Sequence, residues 1–293
     1  MPRARANGIE IEYETFGRPE DPALLLVMGL GAQMILWHEE FCEALASRGR
    51  HVVRFDNRDV GRSTWFDAAG TPDLMATMAA AAKRQPVSSA YRLRDMAADA
   101  AGLLDALGID SAHVVGASMG GMIAQTLAIE HPARVRTLTS IMSTTGHPDL
   151  PAATPEAMAV LLTPAPTERD AAIERAVAVW RTIGSPGFPV DEDELRAQSA
   201  RAFDRGVNPA GIARQLVAIL ASGSRRESLR AVQAPTLVIH GSADPLVPEA
   251  AGRDTAASVP GAELLLIDGM GHDLPRALWP RFVDAIAKLS ERG

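Results

Sequence analysis

A serine with a glycine two residues to either side stands at Gly116-Ala117-Ser118-Met119-Gly120. The apolar pair Val114-Val115 precedes it and a helix-forming run, Gly121 to Ala128, follows. This order predicts a strand, a sharp turn and a helix, with the hydroxyl at the apex. So tight a turn forces its apex residue into a sparsely populated backbone conformation and crowds the neighbouring Cβ atoms. Gly116 and Gly120 remove two of those atoms, and Ala117 keeps a third side chain small. The hydroxyl then sits at a helix N-terminus, whose free N–H groups favour developing negative charge. Those are the needs of a serine nucleophile, although a surface serine on a glycine-softened turn would read the same from these five residues alone.

A serine hydroxyl is a weak nucleophile until a base takes its proton, and the base needs an acid to hold its tautomer. Among seven histidines, His272 has fitting surroundings: the apolar run Leu264 to Ile267, a glycine-rich loop, and Pro275 shortly after. The acid is expected at Asp244, in the turn Gly241 to Pro248 beyond the strand-like Thr236 to His240. Asp268 and Asp273 are so close to His272 that one loop would have to supply both groups, and Asp149 lies well past its strand. His38, His131 and His147 fall on expected helix or loop surfaces. His51 and His113 open strands, away from the site, and His240 closes one beside Gly241; all six read as structural. Cys42, in a helical pattern among apolar neighbours, reads as an inert core thiol.

Acyl transfer further requires donors for a tetrahedral oxyanion. The N–H of Met119, next after the serine, is one candidate. The second is expected in Met28-Gly29-Leu30-Gly31, beyond the apolar run Leu24 to Val27, and is assigned to Leu30. No metal and no organic cofactor is implied.

The elements that must position these groups follow from hydrophobic pattern. Ile9, Ile11 and Tyr13 alternate with glutamates, as an exposed antiparallel edge strand would. Leu24 to Met28, Val52 to Phe55, Val114 to Gly116, Leu138 to Met142, Leu237 to His240 and Leu264 to Ile267 are continuous apolar runs, as parallel strands covered on both faces require. Helical patterns alternate with them. The clearest carries Leu93, Met96, Ala97, Ala100, Leu103, Leu104 and Leu107 on one stripe and ends at Gly108. A doubly wound, mostly parallel α/β sheet is predicted.

That rhythm breaks over 146–234, which contains Pro148, Pro151, Pro155, Pro164, Pro166, Pro186, Pro189 and Pro209. Helical pieces are expected near Ala171–Thr182, Glu192–Phe203 and Pro209–Gly223. The acidic run Asp191 to Glu194 reads as a helix N-terminus. The segment is taken as a helical cap over Ser118, inserted into a core made of 1–145 and 235–293. A second insert, Thr64 to Tyr91, is expected beside the cap.

The chain order Ser118, Asp244, His272 with the glycine-flanked serine resembles the α/β-hydrolase superfamily. Asp56-Asn57-Arg58-Asp59-Val60-Gly61-Arg62-Ser63 is similar to that superfamily's D-x-R-x-x-G-x-S loop. Within it, Pro22 to Gly29 and His113 to Gly120 resemble the esterase group that includes aclacinomycin methylesterase, alongside cofactor-free bromoperoxidase-like hydrolases. Met28-Gly29 stands where many members have His-Gly, a departure that esterase group shares. The resemblance implies the α/β-hydrolase fold and hydrolysis of a small-molecule ester through Ser118, His272 and Asp244. Carbon–carbon bond hydrolysis, lactone or peracid chemistry, and ligand reception in a retained pocket stay open.

Composition bounds the rest. At 293 residues the chain is long enough for one large α/β domain or two small ones. A hydrophobic content of 47% and mean hydropathy near zero fit a soluble globular protein. A net charge of −7 argues against a nucleic-acid partner, which needs a basic face. One cysteine excludes an intrachain disulfide. The polar first eight residues lack an apolar signal core, and Leu24 to Trp37 is too short to span a bilayer. The expectation is a cytoplasmic enzyme with no membrane partner; its oligomeric state is left open.

Overall fold

A computed structural model describes residues 1–163 and 166–293. Pro164, one of the prolines of the long insertion, lies outside the described residues. Their strands are β1 (Arg3–Ala6), β2 (Ile9–Phe16), β3 (Ala23–Val27), β4 (His51–Phe55), β5 (Ala112–Ala117), β6 (Val135–Ile141), β7 (Thr236–Gly241) and β8 (Glu263–Ile267). They form one sheet in the order β1-β2-β4-β3-β5-β6-β7-β8. β1 pairs antiparallel with β2, and β2 antiparallel with β4; every later pairing is parallel.

Crossover helices cover both faces: α1 (Glu39–Ala46) after β3, α2 (Leu74–Ala82) and α3 (Leu93–Ala106) after β4, and α4 (Met119–Glu130) after β5. Between β6 and β7 lie α5 (Pro155–Leu162), α6 (Arg169–Ile183), α7 (Glu192–Arg205), α8 (Pro209–Ser222) and the short α9 (Arg226–Leu229). α10 (Glu249–Ser258) follows β7, and α11 (Trp279–Ser290) closes the fold.

The period-two geometry of strands explains the two-layered core. Leu25 and Val27 join Val114, Leu138 and the α3–α4 residues Met96, Leu103, Ile123 and Leu127 on one face. Their neighbours Leu24 and Leu26 join Val115, Ile239, Phe41 of α1, and Phe282 and Ile286 of α11 on the other. Burying each such side chain contributes about 1.5–3 kcal/mol. Cys42 is packed in the second cluster, and burial pushes its thiol up to about 12, which leaves it inert.

Two expectations need correction. Ile9–Tyr13 is not at the sheet edge: β2 is flanked by β4 on one side and by β1 on the other. The signal was Asn7-Gly8, whose positive φ values of 48° and 81° make the mirror-image turn that two-residue hairpins require. Glu12 is accordingly buried, meeting a guanidinium from α7 and not solvent. The long insertion also contains a helix, α5, that was not foreseen. Its Pro155, one of the prolines of that stretch, occupies the first helical turn, where no N–H is needed, and Thr154 caps it by accepting from Ala157 N–H. The foreseen pieces appear as α6, α7 and α8, with Asp191 as N-cap of α7 accepting from Asp193 and Glu194. In the second insert, α2 packs on α8.

Candidate active site

Parallel strands share one C-terminal edge, so the loops after β5, β7 and β8 gather there, and each carries one polar residue of interest. Ser118 is the N-cap of α4, with φ 56° and ψ −121°. That conformation costs roughly 1–3 kcal/mol and persists only where the surroundings over-determine it. Here Ser118 N–H donates to Ile141 C=O at 2.9 Å, while its own C=O accepts from Gly121 N–H at 2.9 Å and from Ser143 Oγ–H at 2.8 Å. The flanking glycines are sterically obligatory. A Cβ on Gly116 would lie 2.1 Å from the Gly120 oxygen, and one on Gly120 would lie 2.0 Å from the Val27 oxygen.

Ser118 Oγ–H donates to His272 Nε2 at 2.9 Å, and His272 Nδ1–H donates to Asp244 Oδ2 at 2.7 Å. The other carboxylate oxygen of Asp244 accepts from Leu246 and Val247 N–H at 2.9 and 2.8 Å, which fixes the carboxylate plane. Both the imidazole and the carboxylate are buried. The three residues therefore form one directed hydrogen-bond series, which can pass a hydroxyl proton to a ring held in a single tautomer.

Met119 N–H stands at the first turn of α4, beside Ser118. Gly29 approaches from β3: a Cβ there would lie 3.1 Å from Ser118 Cβ. Among the described residues neither Met119 N–H nor Leu30 N–H has a protein acceptor. The structure thus brings Ser118, His272, Asp244, Met119 and the Leu30 loop together.

The rival acids lie elsewhere or do other work. Asp268 is exposed and accepts from Ser242 Oγ–H, and Asp149 pairs with Arg84 at the surface. Asp273 is buried but accepts from Ser185 Oγ–H, and burial pushes its carboxyl above the usual range. His240 is closer to the site than its sequence position suggested. Its Nε2–H donates to Val247 C=O at 2.8 Å, and that nitrogen lies 3.8 Å from Asp244 Oδ2. Burial lowers its pKa, so it packs as a neutral ring.

Sequence reasoning missed the supports. Ser143, Ser185 and Gln215 are isolated polar residues, and nothing local marks them. The loop 56–63 did carry a signal, though its use emerges only in three dimensions. Asp56 and Glu12 accept from Arg205 of α7 at 2.5 and 2.8 Å, Asp59 is paired with Arg214 of α8, and Arg58 grips Asp99 of α3. Buried ion pairs therefore clamp the insertion to the sheet.

Among the described residues no cluster of three or more His, Cys, Asp or Glu side chains is placed to hold a metal ion, and no helix is long and apolar enough to cross a membrane.

Residues 22–275 match the family of the alpha/beta hydrolase fold, and the chain belongs to it. It is 32% identical to rhodomycin D methylesterase DauP of Streptomyces sp. (strain C5), over 93% of this chain and 92% of that one. It is also 32% identical to rhodomycin D methylesterase DnrP of Streptomyces peucetius, with the same coverage. Among solved structures, the enol-lactonase from Burkholderia xenovorans LB400 superposes with a TM-score of 0.73 at 23% identity, covering 98% of this chain and 99% of that one. Esterase RhEst1 from Rhodococcus sp. ECU1013 superposes with a TM-score of 0.76 at 21% identity, covering 100% and 99%. At those identities the two structures speak for the fold.

Proposed function

We propose that this protein is a serine hydrolase of small-molecule carboxylic esters. The observation that carries the reading is the series from Ser118 Oγ through His272 to Asp244, at 2.9 and 2.7 Å. Ser118 attacks the ester carbonyl as His272 Nε2 takes its proton, and Asp244 stabilises the imidazolium. The N–H groups of Met119 and Leu30 receive the oxyanion; one such donor is worth about 10²–10³ in kcat. His272 then protonates the departing alcohol, and a water activated by the same imidazole releases the acid from Ser118. Segment 146–234 serves as the cap above this centre. The chemistry uses protein groups and water alone.

Two relatives named as methylesterases support an ester with a small alcohol. A lactone is an internal ester open to the same attack. A relative named 3-oxoadipate enol-lactonase 2, of Acinetobacter baylyi (strain ATCC 33305 / BD413 / ADP1) and 29% identical, makes lactones the second substrate class to assay. The test is turnover of p-nitrophenyl esters of increasing acyl length, a bulky methyl ester and a simple lactone, by wild type and Ser118→Ala. Multiple turnovers by wild type and none by the folded variant are expected. Turnover retained in Ser118→Ala would remove the serine as nucleophile, and none in wild type would leave a binding protein.

A further inference from the structure

The cap is more than a roof, because it reaches into the loop that carries the second oxyanion donor. We propose that Gln215, on cap helix α8, is a positioning residue that holds Leu30 N–H in its oxyanion-facing orientation. The inference rests on the hydrolase reading above and concerns residues 28–32. A trans peptide plane carries its C=O and N–H on opposite sides, so a bond to either group orients both. Asn57 Nδ2–H donates to Met28 C=O at 2.9 Å, which fixes the plane before Gly29. Gly31 N–H donates to Gln215 Oε1 at 2.8 Å, which fixes the plane after Leu30. Between them, Gly29 C=O accepts from Ala32 N–H at 3.3 Å, so the Leu30 N–H of that same plane is turned the opposite way. Gly31 and Ala32 N–H thus have acceptors, whereas among the described residues Gly29 and Leu30 N–H have none.

Gln215 is itself held. It is fully buried, and its Nε2–H donates to Arg58 C=O at 2.8 Å, which leaves Oε1 as the acceptor for Gly31. α8 also lies directly on the loop: a Cβ on Gly31, at φ 65°, would meet Ile212 Cγ1 at 2.9 Å. Core and cap thus share the geometry of the oxyanion donor. A displacement of α8 loosens the Leu30 amide and so lowers kcat, beyond any effect on substrate binding. A misplacement of 1 Å can cost about 10²-fold in rate.

The experiment compares wild type, Gln215→Met and Gln215→Glu on p-nitrophenyl acetate, with an alkyl trifluoromethyl ketone as oxyanion-forming inhibitor. Methionine keeps the shape but offers Gly31 no carbonyl acceptor; glutamate keeps an oxygen there. Gln215→Met should lose roughly 10- to 100-fold in kcat with KM within about threefold, and ketone affinity should weaken in step. Gln215→Glu, which restores the acceptor for Gly31 but loses the donor to Arg58 C=O, should recover part of both. A Gln215→Met enzyme within about twofold of wild type in kcat overturns the proposal, as does lost kcat with unchanged ketone affinity. Should Gln215→Met not fold, Asn57→Ala replaces it under the same criteria, since it frees the plane on the other side. Wild type that fails to turn over the ester sinks the hydrolase reading; active wild type with an unimpaired variant sinks only this role for Gln215.

Discussion

Ser185, in the insertion between β6 and β7, donates its hydroxyl hydrogen to Asp273 and accepts the Gly271 N–H at 2.8 Å, so one side chain brackets His272 from both sides. The backbone continues the attachment: His272 N–H donates to Ile183 C=O at 2.7 Å and Gly187 N–H to Gly269 C=O at 2.9 Å. The loop after β7 is tied as well, through Thr154 N–H to Pro245 C=O at 2.8 Å.

Ser185→Ala should therefore lower activity without touching the reacting groups. It leaves the Asp273 carboxyl buried without its hydroxyl donor, a loss of about 1–3 kcal/mol, and frees the loop that aims the imidazole. Steady-state kinetics and urea unfolding should show kcat down by roughly tenfold together with reduced stability. Unchanged values of both would detach the insertion from the orientation of His272.

Asp244→Asn should lose about 10³–10⁴ in kcat, because an amide cannot hold the imidazole in the same tautomer or stabilise its cation. Asp268→Asn should stay within about twofold, since Asp268 is exposed and serves Ser242. Equal losses in the two variants would mean that the acid is misassigned.

Arg214→Met should destabilise the fold severely. Burial alone works to raise the Asp59 carboxyl, but Arg214, the Phe66 N–H and the Tyr91 hydroxyl outweigh it and hold the group below the ordinary aspartate range. Removing the guanidinium strands that anion in the interior, at a cost of about 3–5 kcal/mol. Adding Asp59→Asn, which removes the charge, should restore part of the loss in urea titrations. A single variant as stable as wild type would show that the clamp contributes nothing.

His113 makes stability pH-dependent on the acid side. Burial in β5, with smaller contributions from Arg136 and Arg50, lowers its pKa to about 4 from the 6.5 of a free imidazole. Between those values the unfolded chain binds a proton that the folded protein refuses, so stability is complete above 6.5 and falls as pH drops toward 4. His113→Leu should flatten that decline in denaturation midpoints measured from pH 7 to 4.5. An equally steep decline in the variant would assign the effect to other groups.

Much of the fold was legible because its signals are local. A parallel strand covered on both faces must be apolar along its length, and Leu24 to Val27, Val114-Val115 and Leu237 to Ile239 are. The tight turn at Ser118 needs small residues at fixed offsets, and those glycines stand in one short stretch. The α5 helix and the β1–β2 hairpin were missed although Thr154-Pro155 and Asn7-Gly8 announce them, so those errors lay in the reading of turn chemistry.

The amino-acid order alone determined the layered sheet, the serine at its apex and which histidine and aspartate end neighbouring strands, since periodicity and turn sterics act over a few residues. Only the tertiary structure decided what holds them. Gln215 at Gly31, Ser185 around His272 and Arg205 on Glu12 are single contacts between residues far apart in the chain, made where a helix or loop of the insertion lands on the sheet. A lone polar residue carries no local mark of the partner that folding will bring to it.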